Sequence, residues 1–168
     1  MMIRNIKYLS LGLIFLLGYR FFTYPKFKNI KLELKEKYSD YSIGNDKDKL
    51  TYQIAVENEK KNGIIYPPVE PYSAKIYGKL LSIDENLNLI QTKLLTEILN
   101  DSSSYRWGEI GTFEHYKTII FYDIDNNVIG ITEIDSDLKQ TYSTPSNKTM
   151  KWGNLSDKGE RKLKEILM

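Results

Sequence analysis

The first twenty-four residues most constrain how this chain can fold, because a basic start leads into an unbroken apolar block. Arg4 and Lys7 precede residues 8–19, which read YLSLGLIFLLGY. A block of about twelve residues has the length of a signal-peptide core rather than of a plain transmembrane span. Extended to residues 6–24, the segment reaches about 30 Å at roughly 1.5 Å per residue, which is the thickness of the bilayer hydrocarbon.

The residues after the block favour retention of this segment over cleavage. Residues 16–22 read LLGYRFF and lack the small side chains that a signal peptidase requires. Arg20 can extend to the lipid headgroups, the aromatic residues around it are typical of the membrane interface, and Pro25 would end the helix. The chain has no cysteine, which excludes a lipoprotein anchor. Residues 1–25 are therefore predicted to form a single-pass signal-anchor in the inner membrane.

The flanking charges leave two orientations open. More basic residues lie after the segment than before it, which by the positive-inside rule favours a cytoplasmic C-terminal domain. A short basic tail before a short apolar core is instead the arrangement of a signal-anchor that exports its C-terminal domain. We expect a periplasmic domain, with the cytoplasmic side as the alternative.

The charge distribution after the anchor bears on the partner class. Residues 26–49 are rich in lysine and are predicted to form a tether or an edge strand, and residues 50–168 a single domain. Residues 84–137 hold eleven acidic and three basic residues, a net charge of −8. Such a segment disfavours nucleic acid as a partner and favours a basic protein.

Local patterns predict an α+β domain, in which a small antiparallel β-sheet packs with two helices. Two β-branched runs, residues 117–122 and 128–134, flank the turn-forming residues 123–127 and predict a hairpin. The first helix is predicted over residues 84–100, capped by Ser82 or Asp84, with the core face Leu87, Ile90, Leu94, Ile98 and Leu99. The second is predicted over residues 155–167, capped by Ser156 or Asp157, with the apolar face Leu155, Leu163, Ile166 and Leu167.

Other segments are less regular. Residues 50–56 alternate between apolar and polar side chains, which indicates a strand, while a helix capped by Asp46 and ended by Asn62 and Gly63 competes. Residues 64–71 contain prolines at positions 67, 68 and 71 and predict a stiff extended connector. Shorter strands are predicted over residues 105–110, 140–143 and 149–152.

Three patterns imitate catalytic or metal sites. His115 could join one of Ser102, Ser103 and Ser104 in a triad, but no nucleophile elbow is present. Residues 123–127, DIDNN, imitate the start of a calcium loop but lack its later glycine and glutamate, so hairpin-turn chemistry is favoured. Carboxylate pairs can be drawn from Glu109, Glu114, Glu133, Asp135 and Asp137 without any spacing that selects one. We expect no catalytic residues, no metal and no cofactor.

Two aromatic-glycine clusters, YRWGE at residues 105–109 and KWGN at residues 151–154, carry residue types that are enriched at binding surfaces. The alternative is that each Trp closes one end of the sheet. Together with two acids of the negatively charged segment, they supply the predicted binding residues, which are Tyr105, Arg106, Trp107, Glu109, Glu133, Asp135 and Trp152.

These clusters, together with the runs IIFYD at residues 119–123 and VIG at residues 128–130, resemble small membrane-anchored proteins of Bacteroidetes-type bacteria to which no function is assigned. The likeness covers about ninety residues from Leu80 onward. It implies a bacterial source and brings no activity with it.

The sequence favours a non-enzymatic, membrane-anchored binding domain in the periplasm. In its most specific form the chain is an immunity or inhibitor protein that captures a toxin through the acidic surface of residues 84–137. The alternatives are an accessory or structural subunit of a cell-envelope complex and, from another class, a carboxylate-dependent hydrolase.

Overall fold

The computed structural model describes residues 17–38, 49–79, 82–107, 111–151 and 153–167, together with Phe15. In this part of the chain, four helices and the helical residues 17–23 accompany a five-stranded antiparallel sheet in the order β2-β1-β3-β4-β5. The helices are α1 Phe27–Lys37, α2 Lys49–Lys61, α3 Leu89–Asn100 and α4 Asp157–Leu167. The strands are β1 Ser73–Tyr77, β2 Glu85–Leu87, β3 His115–Tyr122, β4 Val128–Asp135 and β5 Thr141–Thr144.

The predicted anchor is described only in its last part, where residues 17–23 are helical. Residues 1–14 and residue 16 lie outside the described residues. Among the described residues, no helix is long and apolar enough to cross a membrane.

The predicted hairpin is confirmed as the centre of the sheet. Strands β3 and β4 pair antiparallel, with Ile120 opposite Ile131 and Phe121 opposite Gly130. A register shift then places Tyr122 opposite Val128, so Ile129 is the extra residue of a β-bulge. Because of this bulge, Ile129 and Ile131 face opposite sides of the sheet despite their spacing of two.

Both faces of the hairpin are buried, which explains its nearly continuous apolar sequence. One face packs under α3 and α4 in a cluster that contains Ile119, Phe121 and Ile129. The other face, with Ile120 and Ile131, packs under α1. The sheet is therefore the middle layer between helices on both sides.

The N-terminal flank forms a helix in place of the expected tether or edge strand. Phe27, Ile30 and Leu34 recur at helical spacing in α1 and pack against the sheet, whereas Leu32 is exposed. In the sequence, apolar residues at positions 30, 32 and 34 alternate with polar ones, as in an edge strand. This alternation is misleading, because only two of these three side chains belong to the buried face.

The strand prediction for residues 50–56 is wrong, and the competing helix is correct. Helix α2 turns Val56 and Glu59 inward and leaves Ile54 exposed. It ends before Gly63, whose φ of +64° favours glycine. Asp46, the proposed cap, lies outside the described residues.

The connector after this helix carries no strand, and its Tyr66 is fixed to the end of α3 by Asn100, which accepts from the Tyr66 N–H at 2.8 Å.

Helix α3 is shorter than predicted, and the predicted core face is correct only in part, since Leu87, Ile98 and Leu99 are buried. Residues 85–87 form strand β2, and Asn88 begins the helix in a capping box with Gln91, so neither Ser82 nor Asp84 is the cap. The buried residues are Thr92, Leu95, Ile98 and Leu99. The expected core positions Ile90 and Leu94 are instead exposed.

The C-terminal helix is confirmed together with its Ser156 cap, whose Oγ accepts from the Gly159 N–H at 3.2 Å. Leu155, Leu163 and Leu167 are buried as expected.

Strand β5 lies one residue later than predicted, and residues 148–150 form a 3₁₀ turn instead of a strand. From the expected strand at residues 105–110, Tyr105 alone pairs, as an isolated bridge to Leu155, within the described part of that segment.

We expect Phe121→Ala to lower the free energy of unfolding by about 3–5 kcal/mol, because it opens a cavity at the centre of the main core. The measurement is urea denaturation of the full chain in mild detergent, monitored by circular dichroism. The control is Ile124→Ala in the exposed hairpin turn, which should change stability by less than about 0.5 kcal/mol. Equal stability of the two variants would contradict the assignment of the buried face.

Candidate functional site

The structure brings the two aromatic clusters together. The Arg106 N–H donates to the Asn154 carbonyl at 2.9 Å, and the Lys151 ammonium donates to the Tyr105 carbonyl. The same ammonium lies 6.0 Å from the centre of the Trp107 ring. Glu109 and Trp152 lie outside the described residues.

Much of this junction serves the fold. Tyr105 is buried, and its hydroxyl donates to the Leu99 carbonyl at 3.2 Å. At Gly153 a Cβ atom would lie 1.9 Å from the Thr141 carbonyl oxygen, so glycine is required there by contact within the chain. Of the described predicted residues in the junction, Arg106 is exposed, with Asp157 at 3.8 Å, and Trp107 is half-buried.

Glu133 and Asp135 make internal contacts and do not form an open acidic face. Lys31 of α1 donates to both Glu133 carboxylate oxygens, at 2.9 and 3.0 Å. Asp135 is buried and accepts from the Lys139 and Gln140 N–H groups at 2.7 and 3.0 Å, which fixes the turn after β4.

Other acids of the negatively charged segment are also neutralised from outside it. Asp84 contacts Arg20 and Lys75, and Asp101 contacts Lys158 and Lys162 of α4. The net charge of −8 therefore overstates the field that residues 84–137 present to a partner, since much of it cancels within the fold.

Two of the residues considered for a catalytic triad, His115 and Ser103, have structural partners. His115 Nε2 lies 2.7 Å from Thr118 Oγ1 on its own strand. Ser103 Oγ donates to Asp101 at 2.6 Å and accepts from Lys158 at the same distance. These contacts join the end of α3 to α4 and give Ser103 no base.

The hairpin turn likewise uses its carboxylate internally. Asp123 Oδ1 accepts from the Asp125 and Asn127 N–H groups at 3.0 and 2.8 Å, an Asx turn. Hydrogen bonds from Asn127 are the main reason that the pKa of Asp123 is lowered. In the described part of the chain, no group of three or more His, Cys, Asp or Glu side chains could hold a metal ion.

The exposed face of α3 is the strongest candidate for a binding surface. Ile90 and Leu94 lie one helical turn apart and are 71% and 47% exposed, with Leu89 exposed beside them. Aliphatic side chains at this spacing on a surface helix normally face a core. The opposite face of the same helix already packs against the sheet, so α3 is apolar on two sides.

Residues 64–72 extend this face. Tyr66 is bonded to Asn100 at one end of α3, and Glu70 lies 3.8 Å from Lys93 nearer the other, so the connector runs beside the helix. It carries the exposed side chains of Val69 and Tyr72. We call the four residues Ile90, Leu94, Val69 and Tyr72 the α3 surface, and the Lys93–Glu70 ion pair links the helix to the connector.

The sequence carries a signal for this surface, but the signal has the form of a core pattern. Residues 87, 90, 94 and 98 have helical spacing, but the helix begins only after residue 88, and Leu95 and Thr92 take the inward positions. Ile90 and Leu94 are exposed because α3 packs on the sheet through its other face, which carries Leu95 and Leu99.

A second feature joins the predicted anchor to the domain. Arg20 donates to Asp84 through both of its terminal nitrogens, and Lys75 Nζ lies 3.3 Å from the same carboxylate. The hydrogen bond from Arg20 is the main reason that the pKa of Asp84 is lowered. The last residues of the predicted anchor are therefore bonded to the loop before β2.

Comparison of the chain with protein-family models, curated proteins and solved structures finds no match. The likeness to membrane-anchored bacterial proteins stays a prediction from the sequence.

Asp101 gives a test of the link between α3 and α4. Burial opposes its ionisation, but hydrogen bonds from Ser103 and from Lys158 outweigh burial and lower its pKa to about 2. We expect Asp101→Asn to cost about 1–2 kcal/mol of stability at about pH 7, where the lost carboxylate would be ionised.

The pH dependence of that cost has a fixed sign. Because the pKa of the folded state lies below the ordinary value of 3.8, the carboxylate stabilises the fold above about pH 4 and loses this effect as the pH falls towards 2. Urea denaturation at several pH values should show wild type and variant converging in acid. A difference that stays constant with pH would show that the effect does not come from the charge of the carboxylate.

Proposed function

We propose that this chain is a membrane-anchored, non-enzymatic binding protein, and that a protein partner docks on the α3 surface. The observation that carries the proposal is a helix that packs against the sheet on one side and exposes Ile90 and Leu94 on the other. Contiguous exposed aliphatic side chains rimmed by charge are typical of protein interaction sites.

The geometry of the surface indicates the chemistry of its partner. Ile90 and Leu94 form a ridge along the helix, and the connector that carries the exposed side chains of Val69 and Tyr72 runs beside that helix. A ridge of this kind fits an amphipathic segment whose own apolar side chains pack beside it. The Lys93 and Glu70 charges provide polar positions that favour one register of the partner.

The immunity hypothesis survives in a modified form. It requires an acidic face, but Asp84, Asp101, Glu133 and Asp135 are engaged within the fold. A captured toxin would therefore be held by apolar contact with the α3 surface, and the remaining exposed acids would act on its rate of association.

The accessory-subunit alternative uses the same surface differently. A subunit of an envelope complex would keep its α3 surface covered permanently, whereas an immunity protein would be covered only while its toxin is present. The carboxylate hydrolase alternative gains no support from Glu133 or Asp135, since neither carboxylate is open to a substrate.

The anchorage part of the proposal predicts a definite topology. With alkaline phosphatase fused after Met168, we expect activity, because the enzyme folds in the periplasm, and a reporter that fluoresces only in the cytoplasm should be dark. The reverse pattern would place the domain in the cytoplasm. Intact N-terminal sequence in the membrane fraction would show that the anchor is retained.

The docking part predicts loss of partner capture in Ile90→Asp/Leu94→Asp. Each aliphatic side chain that the partner buries contributes about 1.5–3 kcal/mol to the free energy of binding, so the double change should weaken binding by at least about a hundredfold. The measurement is capture from detergent-solubilised membranes of the producing cell, quantified by mass spectrometry. Circular dichroism verifies that the variant is folded.

The control is Ile124→Asp, which adds one of the same negative charges at an isoleucine that is 77% exposed in the hairpin turn. It should capture the partner as well as wild type does. His115→Ala should also leave capture intact. Capture that the double variant retains would refute the α3 surface, and capture of the chain itself would make the partner a second copy.

A further inference from the structure

One end of the sheet lies directly against the helix of residues 17–23. Arg20 donates to Asp84 and, at 3.1 Å, to the Ser82 carbonyl, and the Tyr24 hydroxyl donates to the Gly78 carbonyl. Residues 82–84 are thus held beside the last turns of the predicted anchor. We call this the anchor end of the sheet.

Helix α1 carries the chain from the anchor end to the opposite end. Phe27 in its first turn packs on Tyr77, with ring centres 5.8 Å apart, whereas Lys37 in its last turn lines a groove with Asn127 and Val128. On β3, Thr118 pairs with Tyr77 and Tyr122 pairs with Ser73. The two ends of β1 therefore lie four residues apart along the sheet, which is about 13 Å. The hairpin turn, residues 123–127, is therefore the end farthest from the anchor.

Ile83 is the unexplained residue of the anchor end. Its side chain is 95% exposed, although both neighbours are held by Arg20. Full exposure of an isoleucine leaves its apolar area in water, and a favourable environment for that area would be lipid. Phe21 and Phe22 on the adjacent helix are exposed as well.

The surrounding charges fit a lipid surface. Lys26 and Lys28 lie just after the predicted anchor, and Lys79 lies just after β1 at the same end of the sheet; all three are exposed. Lysines at a membrane surface are attracted to anionic headgroups. An apolar tip flanked by lysines is the pattern of an interfacial membrane contact.

We infer that residues 82–84 form a second membrane contact, in which Ile83 enters the interfacial layer of the bilayer beside the anchor and the nearby lysines meet anionic phosphate groups. This inference rests on the proposed anchorage of the chain. It adds that the domain lies against the bilayer at its anchor end and projects the hairpin turn away from it.

The test uses the absence of cysteine from the chain. Ile83→Cys and Ile124→Cys each introduce one thiol, which is labelled with a polarity-sensitive fluorophore in the full chain. The labelled proteins are reconstituted into vesicles of phosphatidylcholine and phosphatidylglycerol. We expect blue-shifted emission and strong quenching by lipid-borne nitroxides at position 83, and water-like emission without that quenching at position 124.

The outcomes separate the two proposals. If the full chain fails to float with the vesicles, anchorage and the second contact both fail. If it floats but position 83 is quenched by lipid nitroxides no more than position 124, the second contact is wrong and the anchorage stands. A blue shift at position 83 without nitroxide quenching would assign the shielding to protein and would also overturn the lipid contact.

Discussion

Burial of the β3–β4 hairpin on both faces is the constraint on which the rest of the structure depends. A sheet with one buried face would need a single helical layer, but alternate residues of β3 are buried towards both sides. One layer is supplied by α3 and α4, and the other by α1. The helix next to the predicted anchor is therefore part of the fold, since its removal would expose Ile120 and Ile131 to water.

The sequence predicts the elements whose signals are local. The hairpin combines β-branched runs with an Asx turn, and α4 combines a serine cap with an apolar stripe, so each pattern has one consistent solution. For α1 and α2, short apolar runs fit a period of two as well as a period near 3.6. Packing on a distant surface decides between them: Leu34 meets the sheet, and Glu59 accepts from the Lys148 N–H at 2.8 Å. Neither contact is visible in local sequence.

The candidate site is harder to predict because the same residue types serve folding and binding. Tyr105 has the chemistry of an aromatic contact, yet its hydroxyl is used within the core, and Glu133 has that of an exposed acid, yet Lys31 lies 102 positions before it and neutralises it. Conversely, the spacing of Ile90 and Leu94 predicts core positions, because aliphatic periodicity does not state which of two faces is buried. Packing decides it: Leu95 and Leu99 of the opposite face enter the main core beneath the helix.

The junction at Arg20 ties the proposed location to the proposed function. Only three residues, Tyr24, Pro25 and Lys26, separate helical residues 17–23 from α1. The Arg20–Asp84 pair and the packing of Tyr24 on Tyr77 hold the helical residues 17–23 against the sheet domain. Under the proposed anchorage this ion pair would lie near a bilayer, where the local dielectric constant is lower than in water and the pair would be strengthened. A domain held in this way has a defined orientation. Because α3 packs on the same sheet, the proposed anchorage would also define the direction of the α3 surface relative to the bilayer. A partner that also resides in the membrane then loses less rotational freedom on docking, which raises its affinity without any added contact.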